Sequence, residues 1–83
     1  MPSEFMEILM DLQRDLNNVT ISAVASNKAL SALIETYNSD TYTPEKNKRN
    51  IAAWTKAINC LNDTLTTFCS DAERLEAYIS GKG

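Results

Sequence analysis

The stretch IAAWTKAINCLNDTLTTFCSDAERLEAYI, residues 51–79, decides the fold. Alternating steps of three and four select Ile51, Trp54, Ile58, Leu61, Leu65, Phe68, Ala72, Leu75 and Ile79, and all nine are apolar. Such a row is the seam of a long helix that packs lengthwise on another helix. No Gly or Pro interrupts it. Upstream, Thr43-Pro44-Glu45 reads as a helix start, with a hydroxyl at the N-cap, Pro at N1 and an acid against the positive helix end. Downstream, Ser80-Gly81 reads as a stop, with Gly taking the left-handed position after the last turn. The spacing therefore predicts a helix over about residues 44–80.

The N-terminal segment repeats the pattern. Phe5, Leu9, Leu12, Leu16, Val19, Ala23, Ser26, Leu30, Leu33 and Tyr37 follow the same steps, and only Ser26 departs from apolar or aromatic character. Ser3-Glu4 supplies a start, and the predicted helix covers about residues 4–37. Residues 38–43, Asn-Ser-Asp-Thr-Tyr-Thr, are polar and turn-like, and form the loop. Folding the chain back at Tyr42 pairs residues whose numbers sum to 84. Phe5 then meets Ile79, Leu16 meets Phe68, Ala23 meets Leu61 and Leu30 meets Trp54, so that each seam position lands on a seam position. Small residues face large ones at Ala23–Leu61, Ser26–Ile58 and Leu12–Ala72, as interdigitating layers require. The fold expected is all-α: one domain over residues 1–83, an antiparallel coiled-coil hairpin about 50 Å long that dimerises into a four-helix bundle.

Composition agrees with this reading. The chain has 83 residues, 43% hydrophobic and 23% charged, which is ordinary for a folded domain and too apolar for a disordered one. Two Gly and two Pro are too few for the turns of an all-β domain. Two helices alone leave much of each apolar flank wet, so further burial is expected from self-association or from another protein. The apolar residues of the first helix outside the seam mark where. Met6, Met10, Ile21, Val24, Ala25 and Ile34 are the candidate partner-binding residues, and Ile8 also falls off the seam. The outer positions of the second helix are mostly Asn, Asp, Thr and Glu.

Charge is uneven along the expected rod. The end with both termini holds Glu4, Glu7, Asp11, Asp15, Asp63, Asp71, Glu73 and Glu76 against Arg14, Arg74 and Lys82. The loop end holds Lys28, Lys46, Lys48, Arg49 and Lys56 against Glu35, Asp40 and Glu45. A rod with ends of opposite sign can orient a partner or an antiparallel copy. The net charge of −3 disfavours nucleic acid, and the basic stretch from Lys46 to Lys56 is too short for an RNA-binding stripe.

No catalytic constellation is legible. There is no His, no Gly-rich phosphate loop, and Cys60 and Cys69 lie nine residues apart on one helix, about 180° around it from each other, where they cannot bridge. They read as small, reduced, half-buried residues. Asp11/Asp15 and Glu73/Glu76 have one-face spacing but read as exposed helix acids, since the histidines that usually complete a bundle metal site are missing. Neither catalysis, nor a cofactor, nor a metal is expected. No secretory signal and no membrane-spanning run is present, the longest apolar run being three residues, so a cytoplasmic location is expected. Two formal glycosylation sequons, Asn18-Val19-Thr20 and Asn62-Asp63-Thr64, fall inside the helices and carry no weight.

The second helix, with Trp54, Ala57 and Ile58 in an aromatic-then-Ala-Ile pattern, resembles the co-chaperones of the type III secretion needle subunit, which are small acidic helical hairpins. The resemblance covers about residues 45–79; the first helix has no stretch that aligns. It implies a small cytosolic chaperone or adaptor subunit acting with a tetratricopeptide-type chaperone to shield a secreted helical subunit, without catalytic residues. The alternative is a small phage- or plasmid-encoded inhibitor or immunity protein that binds and blocks a target protein, toward which the acidic end points.

Overall fold

A computed structural model describes residues 3–82; residues 1, 2 and 83 of the expected domain lie outside them. The chain forms two helices, α1 (Glu4–Tyr37) and α2 (Pro44–Lys82), which pack antiparallel as a hairpin measuring 62 × 20 × 14 Å. Ser3 caps α1 as expected, its Oγ accepting from the Met6 N–H at 3.1 Å. At the other end the Asn38 N–H donates to the Ile34 carbonyl at 3.0 Å. The loop is held by the Tyr42 N–H on the Ser39 carbonyl (3.1 Å), by an edge contact of the Tyr37 and Tyr42 rings (5.2 Å), and by Lys46 Nζ on the Thr41 carbonyl (2.6 Å). The Lys46 N–H bonds to the Thr43 carbonyl at 3.0 Å, closing the first turn of α2.

The expected stop at Ser80-Gly81 is not used. Helix α2 runs to Lys82, and among the described residues no glycine has a positive φ. A glycine weakens a helix by about 1 kcal/mol but ends it only where some contact rewards the left-handed turn. A Cβ placed on Gly81 would meet nothing within 4 Å, so nothing packed against this position demands a glycine. The 39 residues of α2, at about 1.5 Å each, account for the rod's exceeding the expected length.

The hairpin and its register are as expected, but the seam is rotated. Phe5 stacks on Tyr78 at 5.7 Å, Ser22 Oγ lies 3.6 Å from Cys60 Sγ, Asn50 donates to Thr36 Oγ1 at 2.9 Å, and Arg74 reaches Asp11 at 3.1 Å. Each of these contacts falls within two positions of the mirror pairing. The inward rows, however, are Ile8, Leu12, Asp15, Val19, Ser22, Ser26, Ala29, Leu33 and Thr36 in α1, and Asn47, Asn50, Trp54, Ala57, Leu61, Thr64, Phe68, Asp71, Leu75 and Tyr78 in α2. Leu12, Val19, Ser26, Leu33, Trp54, Leu61, Phe68 and Leu75 face inward as predicted. At most of the alternate positions the structure turns in the residue one place earlier: Ile8 for Leu9, Asp15 for Leu16, Ser22 for Ala23, Asp71 for Ala72; Ala57 and Ile58 are both half-buried.

Moving half of the seam by one residue, about 100° of helix, turns its mean direction by about 50°. Polar groups that sequence rules place in water are thereby buried. Asp15, Ser22, Ser26, Asn47 and Asp71 are at most 9% exposed, and Ile8, expected off the seam, is the one buried hydrophobic among the described residues. Asp15 is thus no exposed helix acid. Cys60 and Cys69, expected half-buried, are exposed and free.

Candidate functional site

The buried polar rows find partners along their own helices as well as across the seam. Ser26 Oγ donates back to the Ser22 carbonyl at 2.8 Å, and Asn50 also donates to Asn47 Oδ1 at 3.2 Å. Toward the termini, three carboxylates and two guanidiniums interlock. Arg14 reaches Asp11 at 3.2 Å and Asp15 at 3.3 Å; Arg74 reaches Asp11 at 3.1 Å and Asp71 at 3.0 Å. The cluster has one negative charge too many if every acid is ionised. Asp15 is more easily protonated than Asp71: its hydrogen bond with Asp71, then burial, raises its pKa above the usual carboxylate value. Asp71, accepting from Asp15 and bonded by Arg74, is held below that value. Asp15 Oδ2 is buried without a hydrogen-bond partner, which adds to the cost of a charge at this carboxyl. The network fixes register and rotation, as polar seam groups do in coiled coils.

Its geometry also defines the two flanks of the rod. In heptad notation, with Phe5 and Trp54 at a, Asp11 and Arg74 both occupy g, and their contact puts the g rows on one flank. The two e rows therefore share the opposite flank. These rows are Leu9, Leu16, Ala23, Leu30 and Tyr37 in α1, and Ile51, Ile58, Leu65, Ala72 and Ile79 in α2. All ten are apolar or aromatic. Leu16 is 51% exposed, Tyr37 67%, Ile51 51%, Leu65 40% and Ile79 58%. The rows interleave into one apolar stripe along the rod. Sequence reasoning had selected these residues, but as the inside of the hairpin.

The six candidate partner-binding residues are all exposed. They do not form one surface. Met6 and Met10 sit one turn apart near the start of α1. Ile21, Val24 and Ala25, at i, i+3 and i+4, make a patch at its middle, on the side away from the stripe. Ile34 lies beside Leu30 and Tyr37 and widens the stripe. No described helix is long and apolar enough to cross a membrane. A scan of protein-family models, a search of curated proteins and a search of solved structures each find no match to this chain.

Proposed function

We propose that the chain is a non-catalytic protein-binding module, a small cytoplasmic chaperone or adaptor subunit that works as part of a larger helical assembly. One observation carries this reading. Among the described residues a single hydrophobic, Ile8, is buried, while fourteen large hydrophobics are exposed. A monomer arranged so holds only part of a core, and other helices complete it. The patch of Ile21, Val24 and Ala25 is the contact for a heterologous helical partner, of the tetratricopeptide type that the resemblance of α2 to needle co-chaperones implies. The flexible side chain of Met10, in the same row as Val24, extends that contact toward the start of α1, while Met6 lies beside Leu9 on the stripe.

The acidic termini support a second reading, an inhibitor that blocks a cationic protein surface. Affinity capture with wild-type chain and with Ile21→Asp/Val24→Asp separates the two. Loss of a helical-repeat protein from the double variant, with helicity intact by circular dichroism, supports the module. Retention of a nucleic-acid-processing protein by both forms supports the inhibitor.

A further inference from the structure

We propose that two copies of this chain join through the stripe into an antiparallel four-helix bundle, α2 lying on the partner's α2 and the loop of each copy lying at the termini of the other. The inference rests on the reading of the hairpin as an incomplete helical unit, and names what completes it.

The rotated seam is the first argument. In a bundle of four helices, the direction from a helix to the bundle axis lies about 45° from the direction to its neighbour. In this hairpin, the apolar rows of both helices point about 50° away from the line between them, and toward the same flank. The two apolar rows thus aim at an axis in front of the hairpin. A single helix laid on the flank would fill one quadrant of the four. A second antiparallel pair of equal length fills the rest, and another copy presents the same rows in the same geometry.

Area is the second. Half-exposed aliphatic side chains leave about 60–90 Å² each, so ten positions offer on the order of 600–900 Å² per copy, and two copies reach the ~1,200 Å² from which stable interfaces begin.

Charge sets the direction. Two copies with loops together would stack acidic end on acidic end. The antiparallel arrangement lays the basic loop end over the partner's acidic end. Beside the stripe on α2, Lys48 and Glu76 lie equally far on either side of Asn62. Crossing near Asn62 brings Lys48 to the partner's Glu76 and Glu76 to the partner's Lys48. The same crossing sets Ile58 against the partner's Leu65, and Ile51 against the partner's Ala72.

Dipolar electron spin resonance of a nitroxide on Asp40→Cys, in a chain also carrying Cys60→Ser and Cys69→Ser, reads the arrangement directly. The rod is 62 Å long, so the antiparallel bundle gives a label separation of about 60 Å and a parallel one about 20–30 Å, the helices being 8–10 Å apart. The long separation, abolished by Leu16→Glu/Leu65→Glu, is the result expected. A short separation, no dipolar coupling at any concentration, or a coupling that survives the double substitution overturns the proposal. A chain without coupling that still loses its captured partner on Ile21→Asp/Val24→Asp refutes the bundle and leaves the binding module standing.

Discussion

Arg74 and Asp11, 63 residues apart in the chain, meet at 3.1 Å across the hairpin. Because both occupy the same flanking row of their helices, this contact settles which sides of α1 and α2 lie together. The polar flank carries the ion pairs, and the apolar flank opposite is left for another surface. The consequences for stability and association follow from that division.

Replacing Ile8 by Ala removes the one buried hydrophobic among the described residues. Truncating a buried Ile to Ala typically costs about 2–5 kcal/mol. The melting temperature of the chain, followed by circular dichroism at 222 nm, should fall by at least ten degrees. Leu9→Ala, one residue along and on the exposed stripe, should be markedly milder when measured at concentrations where the chain is monomeric.

Asp15 and Asp71 make stability depend on pH in opposite senses. Asp15, with its pKa raised from 3.8, contributes fully below that value, and its contribution is lost as pH rises through the folded-state pKa. Asp71, with its pKa lowered, contributes above 3.8 and is lost as pH falls below it. Asp15→Asn supplies a neutral donor to Asp71 at every pH. Its melting temperature should exceed that of wild type at pH 7, by a few degrees, and the difference should shrink as pH is brought down toward 3.8. A variant less stable than wild type at pH 7, with a gap independent of pH, contradicts the opposite shifts of the two acids.

Gly81 lies in helical conformation with open space where a side chain would be. Gly81→Ala should therefore raise stability slightly, by up to about 1 kcal/mol, and add to the helical signal. A left-handed cap at this position would give the opposite sign.

The helices, the loop and the register were legible because strong local signals set them: Ser3, the polar run 38–43, Thr43-Pro44, and unbroken heptads on either side. The rotation was not. A period of 3.5 is met equally by taking the residue three or four places beyond each a position, so Leu16 and Asp15, or Ala72 and Asp71, are equally eligible. Choosing the apolar member is right for the centre of a bundle and wrong for the line between two helices. The polar row turns inward because Asp15 pairs with Asp71, Thr36 with Asn50 and Ser22 with Cys60 across the seam. Those cross-seam partnerships exist only in three dimensions. Of the candidate contact residues, Ile34 was drawn toward the stripe and Ile21 away from it, because one helix offers several outer faces and hydrophobicity alone does not rank them.

Sedimentation equilibrium of the wild-type chain beside Leu16→Glu/Leu65→Glu, over a range from micromolar to several hundred micromolar, is the most direct test of the stripe as an interface. The wild type should approach twice the chain mass of 9.2 kDa, while the double variant stays at the single-chain mass. A wild type that remains at 9.2 kDa throughout, with its helicity intact, would show that the hairpin needs no second copy.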